Sequence, residues 1–203
     1  MLRLTTTQRQ TQIIETSLEI IKQGGIQKLT VKEIATRIGI SEQAIYRHFT
    51  SKLEILTSII RYFNTNLKNH LDPNFFKGSA TDKITALTDA HLDYLQTHPA
   101  VAAVIFSEEI FQNESSLAQA VKNALQERLN TMALLIREGQ ESGEFKNDFA
   151  ADELAYLFLG GLRLTVVHWR LSGFAFNVKE KGKKHVANLI SLLQNYGDLT
   201  QNP

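Results

Sequence analysis

Cysteine is absent from this 203-residue chain. That excludes a disulfide framework, a zinc–thiolate site, an iron–sulfur cluster and a thiol redox sensor. Proline occurs three times and glycine eleven times, too few for the many turns of an all-β sandwich. No apolar run reaches the ~20 residues of a membrane span. The greasiest stretch, Leu154 to Leu171, is broken by Arg163, His168 and Arg170, and it reads as a buried helix. Met1 to Thr7 turns polar before any apolar run develops, which argues against a secretory signal. Catalytic signatures are also missing: there is no His-x-x-x-His pair, glycine-rich phosphate loop or nucleophile elbow. Asp89 and Asp93 bracket His91, but without a doubled acidic cluster they read as an exposed helix face. The expectation is a cytoplasmic protein, not an enzyme, with no membrane partner, no metal and no cofactor.

What the chain does have is ordinary globular composition, 43% hydrophobic and 21% charged, with its charge unevenly placed. The formal total is +1. Residues 1–52 hold eight basic and four acidic side chains, a net of +4, and the remainder nets −3. A basic segment ahead of an acidic one suits a polyanionic partner for the first.

The first seventy residues read as helices joined by tight turns. Ile13, Ile14, Leu18 and Ile21 recur at helical spacing, with Thr7 and Gln10 placed as a capping box and Gly24-Gly25 as the stop. Thr30 and Glu33 form a second box before Val31, Ile34, Ala35 and Ile38, the stripe of a short amphipathic helix. Gly39 breaks it, Ser41 caps the next helix, and Ile45 with Phe49 gives that helix a buried side. Ser51 and Glu54 open a longer helix through Phe63. Ala35, Gly39 and Ile45 fall where a helix-turn-helix needs a small residue, a positive-φ residue and a locking aliphatic. Burying Ile45 and Phe49 leaves Glu42, Gln43, Ala44, Tyr46 and Arg47 outward, side chains suited to base edges in a major groove. Lys52 sits at a helix start, where a phosphate is favoured.

Gly39-Ile40-Ser41, Ala44-Ile45-Tyr46-Arg47-His48-Phe49, Ser51-Lys52 and Leu56, with Gly25, Thr30-Val31 and Ile34-Ala35 upstream, resemble the DNA-binding domain of TetR/AcrR-type transcriptional regulators. The resemblance covers about residues 6–66, with the helix-turn-helix at about 30–49. It implies DNA-backbone contacts from Thr30, Lys32, Tyr46, His48 and Lys52. It implies base reading from Glu42, Gln43, Ala44 and Arg47, at the head of a recognition helix that Ser41 begins. Two positions depart from the family pattern: Gln43 stands where Gly or Pro is common, and the usual basic residue of the first helix lies one place early, at Arg9, with Gln10 in its slot.

Residues 67–203 read as further helices: one to His98, one opened by Pro99, then Ser115 to Glu141, about Ala151 to Leu171, and about Glu180 to Tyr196. The fold class expected is therefore all-α, an N-terminal three-helix helix-turn-helix domain followed by a larger helical ligand-binding and dimerisation domain. Because the Ala151–Leu171 helix is apolar around most of its circumference, it needs a second cover, and Leu162, Val166, Leu189 and Leu193 are the expected homodimer contacts. The resemblance further implies a small-molecule effector of largely apolar or aromatic character. Candidates to line its cavity are His91, Tyr94, Phe106, Phe111, Met132, Phe158, Arg163, His168 and Trp169. Arg163 stands out because a buried guanidinium wants a carboxylate, from protein or ligand. The expected function is a repressor that binds a palindromic double-stranded DNA operator as a homodimer and is released by an inducer. The alternatives are a DNA-bound architectural or division-control protein without an inducer, or an all-α enzyme.

Overall fold

A computed structural model describes residues 4–69, 77–106 and 115–194. Nine α-helices occur among them: α1 Thr6–Gly24, α2 Val31–Ile38, α3 Glu42–Tyr46, α4 Lys52–Asn69, α5 Ala80–Thr97, α6 Pro99–Ile105, α7 Ser115–Glu141, α8 Ala151–Leu171 and α9 Val178–Leu193. Extended pairing among the described residues is one antiparallel bridge, Phe145 with Gln194.

Two compact units form, residues 1–66 with 98–123, and residues 67–97 with 124–203. The first unit thus takes in α6 as well as the segment expected for the helix-turn-helix, because α6 packs on α1 and Val101, Ala102 and Val104 are buried. Local chemistry sets the element ends. Thr5, rather than Thr7, caps α1: its hydroxyl accepts from Gln8 N–H at 3.2 Å, and Gln8 Oε1 accepts from Thr5 N–H at 2.9 Å. Three threonines in a row offer several possible starts, and the box closes on the first of them. Thr30 accepts from Glu33 N–H at 3.0 Å, while the Glu33 carboxylate turns to Arg37 at 2.8 Å instead of completing the box.

In the second unit α5 and α9 run antiparallel, as their ion pairs show: Asp89 with Lys183 at 2.7 Å and Asp93 with Lys179 at 2.6 Å. Between those rungs Gly182 lies against Leu92, so close that a Cβ on Gly182 would collide with Leu92 Cδ1. The α5 N-terminus is capped from far along the chain: the Glu144 carboxylate accepts from Ala80 N–H at 2.8 Å and Thr81 N–H at 3.0 Å. Burial opposes ionisation there, but the hydrogen bonds from Thr81, Ala80 and Ser79 hold the Glu144 carboxyl below its ordinary range. The core of this unit gathers Ile84, Leu92, Leu95, Ile136, Phe145, Phe158 and Val178.

Candidate nucleic-acid interface

Four short-range devices fix the helix-turn-helix. Gly39 adopts φ 76, ψ 38, a left-handed stop that costs glycine little, and Gly39 N–H and Ile40 N–H both bond the Ala35 carbonyl, at 2.9 and 3.0 Å. Ala35 is buried where α2 meets α3, so its methyl sets the close approach of the two helices. Ser41 Oγ accepts from Ala44 N–H at 3.2 Å and starts α3. Ile45 and Phe49 are buried, and His48 N–H and Phe49 N–H both bond the Ile45 carbonyl, at 2.8 and 3.0 Å. The recognition helix is therefore short and ordered at both ends.

Thr30, Lys32, Ser41, Glu42, Gln43, Tyr46 and Arg47 are exposed, and Ala44, His48 and Lys52 are half-buried. Lys32 and Arg47 form no ion pair among the described residues, which leaves their charge to a polyanion. Lys52 is drawn inward: its Nζ donates to the Ile26 carbonyl at 3.4 Å, and partial burial lowers the pKa of its ammonium. His48 keeps Nδ1 buried with no hydrogen-bond partner among the described residues, and its backbone carbonyl accepts from Gln10 Nε2 at 3.4 Å. The polar residue in that departing slot thus ties α1 to the end of the recognition helix. Arg9 donates to Gln12 Oε1 at 2.7 Å, one turn along α1. Sequence reasoning had no signal for the Gln10 contact, since 38 residues separate the two groups.

The expected effector residues are scattered. Tyr94, Met132, Phe158 and Trp169 are buried in the second unit, and His91 and Arg163 are half-buried there. Phe106 ends α6 in the first unit, and Phe111 lies outside the described residues. His168 is exposed, against expectation. Its ring meets that of Phe176 at a tilt, with centroids 5.2 Å apart, on the solvent side of α8. A surface groove of about 230 Å³ between α5 and α9 is lined by Thr88, Asp89 and Lys183 among others, none of them an expected effector residue. Asp89 and Asp93 are ion-paired to α9 rather than facing solvent alone. Among the described residues no three His, Asp or Glu side chains converge to hold a metal ion.

The expected dimer contacts divide between core and half-buried positions. Leu162 and Val166 are 5% and 1% exposed, inside the unit's own core, and Leu189 and Leu193 are half-buried. The large apolar side chains that α8 leaves in solvent are Tyr156, Leu157, Leu164 and Leu171, at 64%, 60%, 69% and 76%, with Leu192 on α9. A helix that is apolar all round has no phase in its sequence to say which face turns inward.

No helix of the described residues is long and apolar enough to cross a membrane. The family model described as bacterial regulatory proteins, tetR family, matches residues 13–63, and that of the YsiA-like protein C-terminal region matches residues 52–192. The fatty acid metabolism regulator protein of Bacillus subtilis is 23% identical over 91% of this chain and 95% of its own length. The HTH-type transcriptional repressor KstR2 of Mycolicibacterium smegmatis is 24% identical over 94% of this chain and 93% of its own. The crystal structure of Bacillus subtilis FadR in complex with stearoyl-CoA superposes with a TM-score of 0.77 at 23% identity, covering 89% of this chain and 97% of that one. An ordered recognition helix with a cation on its outer face that is unpaired among the described residues, in a chain matched over more than half its length, leads to one conclusion: the protein belongs to the TetR family and is a DNA-binding transcriptional regulator.

Proposed function

We propose that the protein is a homodimeric repressor that grips a two-fold symmetric operator and releases it when an apolar or amphiphilic small molecule binds the second unit. The observation that carries the reading is the row Leu157, Leu164, Leu171. Seven-residue spacing advances a helix by almost two whole turns, so the three leucines form one nearly straight apolar stripe. Gly160 lies between the first two with open space around it, which lets a second helix come close. A second copy is the occupant that such a self-complementary stripe fits, and pairing two recognition helices gives the operator its symmetry.

For the effector, the buried Tyr94, Met132, Phe158 and Trp169 supply apolar surroundings, and His91 and Arg128 supply a polar end. Burial pushes the Arg128 guanidinium down to about 10 and, with the Arg128 charge, holds the His91 imidazole well below 6.5. A long-chain acyl thioester, the class bound by the Bacillus subtilis FadR structure, combines an apolar tail with an anionic head and suits that combination. On this reading the chain is a binding protein rather than an enzyme, and it works where the chromosome is.

Sedimentation equilibrium and mobility shift on the same samples test it. Leu164→Glu is expected to sediment as a folded monomer and to lose operator binding, while the wild type is a dimer. Stearoyl-CoA at 100 times its dissociation constant is expected to stabilise each subunit by about 2.7 kcal/mol and to release DNA. A dimer that survives Leu164→Glu refutes the interface, and unchanged melting across an acyl-CoA chain-length series refutes the effector class.

A further inference from the structure

The outer face of α3, continued through its C-terminal capping residue, carries two side chains one helical turn apart, Gln43 and Arg47, linked through the backbone by Arg47 N–H to the Gln43 carbonyl at 3.2 Å. With Ile45 and Phe49 in the core, the 3.6-residue period sets these two opposite the buried side. Ala44 and Tyr46 flank them, and Glu42 falls nearer the buried edge. Both are exposed, and among the described residues neither side chain forms a hydrogen bond or an ion pair. Two other arginines of this unit are engaged, Arg9 with Gln12 at 2.7 Å, and Arg37 with Glu33 and Gln23, each at 2.8 Å. An amide fork and a guanidinium fork are thus held open on a turn that Ser41 and the Ile45 carbonyl keep in place.

We propose that Gln43 and Arg47 are the pair that sets the operator sequence, Gln43 by reading an adenine and Arg47 by reading a guanine; this rests on the DNA-binding reading above. The chemistry is specific at each position. A carboxamide offers one acceptor and one donor, which match the N6 amino group and N7 of adenine. A guanidinium offers two parallel donors, which match O6 and N7 of guanine. Four residues of helix advance about 6 Å, and stacked base pairs lie about 3.4 Å apart. The two purines therefore sit about two base pairs apart in each half-site. Gln43 occupies the position that departs from the family pattern, so the adenine preference belongs to this chain's own residue. Ala44, beside them, presents a methyl to the same groove.

Selection from a randomised duplex pool, run with the full-length dimer, tests the assignment. The wild type is expected to enrich half-sites with an adenine and a guanine about two base pairs apart. Arg47→Lys keeps the charge and loses the fork. It should lose about 5- to 150-fold at the guanine position alone, with the salt dependence of binding unchanged. Gln43→Glu puts an acceptor-only group in the same place, and the preferred base there should move from adenine to cytosine, whose N4 amino group donates. Enriched half-sites lacking either purine overturn the proposal, as do variants that weaken every sequence equally, since that marks backbone contacts. A wild-type protein that retains no duplex overturns the DNA-binding reading itself, an outcome distinct from binding without these preferences.

Discussion

His91 lies on the inner side of α5, where burial first and the neighbouring Arg128 charge second hold its imidazole neutral well below pH 6.5. The unfolded chain binds a proton there near pH 6.5 and the folded chain does not. Stability is therefore fully present above that pH and falls as pH drops below it. His185 adds to the same trend, since burial against α8 lowers its pKa too, although a hydrogen bond with the Phe158 backbone opposes the shift. Urea midpoints at pH 7.5 and 5.5 should differ in the wild type, and His91→Phe should reduce that difference. An equal difference in the variant would show that His91 does not carry the effect. The sequence offered His91 as a candidate to line the effector cavity. It gave no sign of Arg128, because the two lie on helices far apart in the chain.

Two glycines in helices of the second unit separate local preference from packing. Gly160 in α8 has open space where a Cβ would go, and Gly182 in α9 has Leu92 there. Glycine to alanine gains about 1 kcal/mol of helix propensity at either site. At Gly182 the added methyl collides in a filled core, and overpacking costs about 1–3 kcal/mol, so packing wins. In the monomeric Leu164→Glu background, Gly160→Ala should raise the denaturation midpoint and Gly182→Ala should lower it. Equal shifts of the same sign would mean that α5 and α9 are less tightly packed than Leu92 and Gly182 indicate. This contrast also marks what the chain alone could disclose. The helix-turn-helix was legible because its caps and turn are set within a few residues, Thr30 to Glu33, Ala35 to Gly39 and Ser41 to Ala44. The Asp89–Lys183 and Asp93–Lys179 rungs were not legible, since more than eighty residues separate the partners, and the inward face of α8 was not, since that helix is apolar all round.

At the scale of the whole molecule, a symmetric pair of recognition helices imposes a ruler on DNA. Half-site centres one helical turn, about 34–36 Å, or a multiple of it apart present the same face of the duplex. Inserting about five base pairs between the half-sites of the selected operator should therefore abolish binding, and inserting about ten should restore much of it; footprinting reads both. Recovery at every insertion length would mean that each subunit binds alone. The chain also carries its own optical reporter of these events. Trp169 is the sole tryptophan. It is buried in the second unit, with the Phe174 ring edge-on at 4.7 Å and only 3% of its surface in solvent. Its emission belongs to that unit alone, so effector capture and helix loosening can be followed by fluorescence in the unmodified protein, without a dye and without a signal from the DNA-reading helices.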